Sequence, residues 1–326
     1  MQTEIICWGH NPGQRYVKDA IISGGKRREP KPYPAVIAPW AQADDDGLGK
    51  HGTTLTATVG GATYLGGSDA ERLPLANRQQ DRGRLDAQSP IYPAFAQMSA
   101  AHAGLTRGVR PTVAIASAVP VGWRLDDKTA AARLEGHIRA GLTDLVKIAA
   151  VYVISEPNAV VASELFDDAG EARREAADLA AGVVCVGDIG GGTLNHSVLD
   201  SLKPLAGQAD SPPMGSSAVV RDLARRAGMQ YVDAERRLEA AVTTPGKDPI
   251  ADALLRQFRE SVVTTFQEAW KAYAHAPKLF AGGTIHWVVQ DLTRAFGQRA
   301  RVHARPQHAV AIGLAKYAAR KSRRSA

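Results

Sequence analysis

Two stretches of this chain carry one signature: an apolar run, a tight glycine turn and a second apolar run. The first is "EIICWGHNPGQRYVKDAIIS" (residues 4–23); the second is "VVCVGDIGGGTLNHSVL" (183–199). Each predicts two strands joined by a turn. Between them, "TTLTATVGGATYLGG" alternates and breaks at paired glycines, which predicts a hairpin. "SPIYPAFAQMSAAHAG" places apolar residues at helical spacing and stops at glycine. "PTVAIASAVPVGW" reads as a strand closed by Pro120, "DDKTAAARLEGHIRAGL" as an amphipathic helix, and "VKIAAVYVISEPNAVVASELF" as a strand feeding a helix. A polar loop is expected at 41–52.

After the second hairpin a loop containing "DSPPMG" is expected, then helices over 216–227, 233–242 and 248–274. "PKLFAGGTIHWVVQDL" predicts a strand, a Gly-Gly turn and a helix, and "PQHAVAIGLAKYAARK" a last helix. The charged stretch "EARREAADLAAG" marks the expected domain boundary. Strands alternate with helices in both halves, so the class is α/β.

The glycine turns are where chemistry enters. Backbone N–H groups reach a phosphate closely only where no Cβ obstructs them. Gly190, Gly191 and Gly192 meet that need. Asp188, just before them, is suited to holding water on Mg²⁺, and Thr193 adds a hydroxyl. A hairpin turn without a ligand has the same look. At the first turn, Gly13 would admit a phosphate and Lys18 would supply a point charge. Solvated lysines and Pro-Gly turns are, however, common. Glu156, followed by Pro157, sits at a strand-to-helix junction, where a carboxylate either orients an attacking water or simply complements the helix dipole. Gly282, Gly283 and Thr284 form a β–α turn that could pass beneath a nucleoside. The order of these elements, more than any one of them, describes a single nucleotide cleft.

Bulk properties narrow the class. The 326 residues suffice for two domains, with 44% hydrophobic and 22% charged residues. No run approaches the roughly 18 apolar residues of a membrane span, and the start lacks the pattern of a signal peptide. Cys7 and Cys185 each lie in an apolar run, as reduced core residues of a cytoplasmic protein do. The nine histidines are scattered, which argues against a structural zinc site. Net charge is +7, yet "KYAARKSRRSA" at the end holds five basic residues and no acid. That tail reads either as a frayed, solvated end or as an electrostatic contact with DNA, membrane or a neighbouring subunit.

Taken together, the motifs resemble the actin superfamily. "DIGGGT" (188–193) resembles its second phosphate motif and "NPGQRYVK" its first. "EPNAVVAS" and "PQHAVAIGLAKYA" are similar to the two connecting helices, and "AGGT" to the adenosine motif. Within that superfamily, "ATYLGGSDAERL", "QQDRGRLDAQSPIYPAFAQMSAAHAG" and "TVAIASAVPVGW" resemble elements of the bacterial ParM/Alp plasmid-segregation type. The resemblance implies a two-lobed actin-like ATPase fold. Each lobe would be a mixed sheet flanked by helices, a duplicated ribonuclease H-like core. Lobe I would be 1–180 plus 306–326, and lobe II 181–305.

The resemblance also implies ATP (GTP remains possible) with Mg²⁺. Glu156 would position the water, and Asp188 would hold the hydrated metal. Asn11, Gly13, Gln14, Lys18 and Gly190–Thr193 would hold phosphates, Gly282, Gly283 and Thr284 the adenosine, with Gly215 near the ribose. Asn11 stands where the family carries Asp, so it would contact the metal only weakly; Asn195 stands where the family often carries an acid, and weaker metal binding and slower turnover are expected. The implied function is ATP-driven filament formation for plasmid or DNA positioning. It would work through a DNA-binding adaptor, without direct sequence-specific contact to nucleic acid. A non-polymerising actin-fold switch or scaffold, a small-molecule kinase and a non-enzymatic role for the basic tail are the alternatives.

Overall fold

From Ile6 onward the first apolar run has little contact with solvent on either side, so it suits a central strand packed on both faces. The computed structural model describes residues 4–13, 15–40, 54–73, 76–77 and 82–325. The expected polar loop at 41–52, Gln14 and the "QQD" of the helix region lie outside the described residues. The chain divides into two units: Met1–Ala177 with His308–Ala326, and Asp178–Gln307. No helix among the described residues is long and apolar enough to cross a membrane.

In the first unit, β1 (Ile5–Pro12) and β2 (Tyr16–Ser23) form an antiparallel hairpin, extended by β3 (Lys26–Arg28) and β4 (Tyr33–Pro34), which both pair with β2. Then β5 (Ile37–Pro39), β6 (Leu55–Val59) and β7 (Ala62–Gly66) make a separate three-stranded antiparallel sheet. The β6–β7 turn is Gly60-Gly61 at φ +59° and +81°, values that favour glycine. Helices α1 (Gly67–Ala70) and α2 (Ile91–His102) follow. Next come β8 (Thr112–Val119), α3 (Val121–Asp126), α4 (Ala130–Leu142), β9 (Lys147–Ser155) and α5 (Glu156–Leu165). The main sheet runs β3-β2-β1-β8-β9, with β1, β8 and β9 parallel. Trp8 and Ile21 pack with Tyr92 of α2 and with Leu134 and Ile138 of α4 on one face.

Helix α6 (Ala177–Ala181) spans the point of division. The second unit repeats the sheet plan. β10 (Val183–Ile189) and β11 (Leu194–Asp200) form the hairpin and β12 (Lys203–Asp210) extends it. Helices α7 (Ser216–Ala227), α8 (Tyr231–Thr243) and α9 (Pro249–Ala269) precede β13 (Lys278–Ala281), α10 (Val289–Phe296) and β14 (Ala300–Val302). The order β12-β11-β10-β13-β14 matches that of the first unit, strand for strand. Asp248 caps α9 by accepting from the Ala251 amide, with Pro249 in the first turn. Phe266 stacks on Trp270 at 4.5 Å between ring centroids, and Phe280 closes the cluster. Gly187 lies beneath it: a Cβ there would come within 2.7 Å of the Phe266 ring.

The chain then returns to the first unit as α11 (Ala309–Ser325). This helix packs on the sheet face opposite Trp8. A Cβ on Gly9 would lie 2.0 Å from the Ala311 carbonyl, and one on Gly313 would lie 1.7 Å from that of Ala159 in α5. Strand and helices touch backbone to backbone, which only glycine permits. Buried Lys316 donates to the Ser163 carbonyl at 2.6 Å.

Several expectations need correction. Residues 203–210 form a strand, β12, where a loop was expected. Its turn uses Ser201 and Leu202 at φ +48° and +66°, without the glycine that signals such a turn. The strand is largely exposed, so no alternation marks it. The long helix stops at Ala269, and a 3₁₀ turn, Ile285–Trp287, stands between the Gly-Gly turn and α10. The basic tail is not frayed: α11 runs to Ser325. Arg320 lies 5.6 Å from the centre of the Phe166 ring, and Arg323 pairs with Glu171 at 2.6 Å.

Candidate functional site

The second unit gathers its motif residues around the end of β10. The register pairs Asp188 with Asn195 and Ile189 with Leu194, which leaves Gly190–Thr193 as the connecting turn. The turn closes on itself through Gly190 N–H to the Thr193 carbonyl at 3.0 Å. Its carbonyls are then taken by the start of α7. The Gly215, Ser216 and Ser217 amides donate to Gly192, Gly190 and Gly191 at 3.2, 3.3 and 2.8 Å. The amides of that helix end are therefore spent on the turn. The amides of Gly191, Gly192 and Thr193 donate to none of the described residues. They are three consecutive half-buried donors, fixed from behind.

Gly215 makes this docking possible. A Cβ there would lie 2.2 Å from the Gly191 carbonyl oxygen. Gly282 plays the same part on the other side. At φ +111° it passes within 2.3 Å, measured from its would-be Cβ, of the Ile189 oxygen and within 2.6 Å of Asp188 Oδ1. The Thr284 amide donates to the Ile189 carbonyl at 3.1 Å, and its hydroxyl to Ser216 Oγ at 3.0 Å. Gly283 differs: its would-be Cβ meets only Gln307 Cγ, at 3.8 Å. Protein packing does not require a glycine there. Asp188 is buried at the strand end, beside Ala281 of β13. The structure thus brings together Asp188, Gly190, Gly191, Gly192, Thr193, Gly215, Gly282 and Thr284. Sequence reasoning missed Ser216 and Ser217, both buried. A serine pair directly after Gly215 is a helix-start signal that could have found them.

The first unit gathers a second group at the end of β1. Asn11 faces Lys18 across the hairpin, the position that Asp188 and Asn195 hold in the other hairpin. Asn11 is buried, and Gly13 N–H donates to its carbonyl at 2.9 Å. A Cβ on Gly13 would come within 2.9 Å of the Tyr16 carbonyl and 3.9 Å of Lys18 Nζ. Glu156 opens α5 as a buried carboxylate, after Ser155 and before Pro157. It acts on Tyr92, whose hydroxyl is pushed above its ordinary range mainly by burial. Arg84 opposes that shift and Glu156 adds to it. Arg84 Nη1 in turn lies 3.5 Å from the Gly13 carbonyl. Glu156, Arg84 and the Gly13 turn therefore share one neighbourhood. No group of three or more His, Cys, Asp or Glu side chains among the described residues is arranged to hold a metal directly.

An archaeal actin homolog, Ta0583, superposes at a TM-score of 0.68 with 14% identity, covering 98% of this chain and 100% of that one. The fold is actin-like. The actin-like match extends to ParM of Bacillus thuringiensis solved with ATP, at a TM-score of 0.66 with 13% identity and coverage of 99% and 100%. The Alp12 filament structure matches at 0.67 with 13% identity, again covering 99% and 100%. At such identities the likeness is one of fold. No protein-family model and no curated protein matches the sequence.

Proposed function

We propose that this actin-like chain binds a nucleoside triphosphate with Mg²⁺, hydrolyses it and assembles with its own copies into filaments. The observation that carries the nucleotide part is the row of unspent amides at Gly191, Gly192 and Thr193, locked in place by Gly215 and Thr284. Phosphate oxygens are the ligand such a row suits. The room left at Gly283 is what a nucleoside passing over that turn would need. Asp188, at the same strand end, carries the charge to hold a hydrated metal through water. Mg²⁺ bound there would neutralise phosphate charge.

In the first unit, Asn11, Gly13, Gln14 and Lys18 are the proposed phosphate contacts, and Glu156 the residue that orients water. ATP is favoured over GTP because ParM of B. thuringiensis was solved with ATP, and assembly because Alp12 was solved as a filament. The finer reading is plasmid or DNA positioning in the cytoplasm through a separate DNA-binding adaptor. The docking of Arg320 and Arg323 on residues 166–171 supports it, because these two tail cations are spent within the chain.

The test is sedimentation and light scattering after adding ATP with Mg²⁺, ADP with Mg²⁺, or ATP with a chelator, while phosphate release is recorded. Polymer and phosphate release only with ATP and Mg²⁺ are expected. Phosphate release without polymer would identify a non-polymerising switch. The absence of both polymer and phosphate release would refute the proposal.

A further inference from the structure

Arg84 is among the largest fully buried side chains, 2% exposed. It sits in the 3₁₀ turn Arg82–Leu85, just before α2. Its guanidinium lies 4.8 Å from the centre of the Tyr92 ring and 5.5 Å from that of Phe95. Its polar contact among the described residues is the Gly13 carbonyl, at 3.5 Å, and its Nε is buried with no partner. No ion pair to Arg84 is formed among the described residues, although buried cations are ordinarily paired. The aromatic faces offset part of the cost of burying the charge. The rest of the desolvation cost meets no formal counter-ion among the described residues.

The charged groups around it are few. Lys18 is the second cation at the turn, and Glu156 is the anion that shares Tyr92 with Arg84. Asp19 points to the sheet face that Trp8 and Ile21 share with Tyr92, where Trp8 and His10 hold it at 2.9 and 2.8 Å. The Gly13 turn is therefore backed by a fixed positive charge that forms no ion pair among the described residues.

We propose that Arg84 is a phosphate-positioning residue. It is a preorganised cation behind the Gly13 turn, and the charge it answers is the terminal phosphate of the bound nucleoside triphosphate. The inference rests on the nucleotide reading above and adds a specific role to it: discrimination of triphosphate from diphosphate. Burial suits Arg84 to this. It cannot swing away, so it responds to the charge that arrives.

The test compares the wild type with Arg84→Met and Arg84→Lys. Methionine fills the aromatic slot without charge, and lysine keeps the charge without the planar fork. ATP and ADP affinities are measured by titration calorimetry, and melting temperatures without ligand. The expected result is that Arg84→Met melts no lower than the wild type, because a buried charge has gone. It should lose at least about tenfold in ATP affinity, while ADP affinity changes less than about twofold. Arg84→Lys should fall between. A parallel loss of ATP and ADP affinity, no loss of either, or a ligand-free Arg84→Met that melts well below the wild type would overturn the proposal in favour of a packing role. A wild type that binds neither nucleotide would overturn the nucleotide reading, and this inference with it.

Discussion

Replacing Gly215 by Ala tests the arrangement of the glycine turn directly. Gly215 has φ −82° and ψ 168°, which alanine adopts without strain, so any cost must come from contact. The added methyl would sit 2.2 Å from the Gly191 oxygen, 2.4 Å from the Gly191 carbonyl carbon and 2.5 Å from that of Gly192. Optimal separations are about 3.5–4.0 Å, so the turn and the start of α7 must part by about 1 Å. That movement weakens the bonds from the Gly215, Ser216 and Ser217 amides, now 3.2, 3.3 and 2.8 Å long. Overpacking of this kind costs about 1–3 kcal/mol, and each weakened hydrogen bond up to about 1 more. We expect about 2–4 kcal/mol in all, read as a lower urea midpoint or a melting point lower by about 5–15 °C. Nucleotide affinity should fall at least about tenfold, because the amide row no longer holds its shape. Gly136→Ala, in α4 with open space around it, is the control and should gain about 0.5–1 kcal/mol. A Gly215→Ala protein as stable as the wild type, binding nucleotide equally well, would refute the docking of turn on helix.

Asn11→Asp adds a carboxylate opposite Lys18 and should raise the rate of nucleotide hydrolysis in a steady-state phosphate assay; an unchanged or slower rate counts against the metal role given to this position. His196 is held below its ordinary 6.5, chiefly by burial, with Asp210 opposing. The folded state therefore resists its protonation, so this contribution is complete above pH 6.5 and is lost as pH falls below it. His196→Gln should flatten urea midpoints over that window; equal slopes would contradict the assignment. Burial pushes the Cys185 thiol up to about 11 and also raises that of Cys7, so both should resist iodoacetamide until their units unfold. Labelling either one in the native protein at the rate of a free thiol would contradict their burial.

The central strands were legible because burial on both faces leaves long apolar runs, as at 113–119 and 183–189. So were the glycine turns, since three glycines before a polar residue are poor material for a packed strand. The chain alone thus determined the α/β class, the two hairpins and the residue types available to hold a phosphate. It could not reveal β12, whose turn uses non-glycine residues at positive φ and whose faces lack alternation. Nor could it show that the helix-start amides at Ser216 and Ser217 are spent on the glycine turn, leaving the turn's own amides as the open donors. Arg84 is the clearest case. In sequence it is one arginine among many. Only packing decides that Tyr92 and Phe95 enclose it, and that no carboxylate among the described residues pairs with it. Local pattern fixes which face of an element is apolar. Which distant backbone comes within reach of it, and which charge is left without a partner, is set by the tertiary fold.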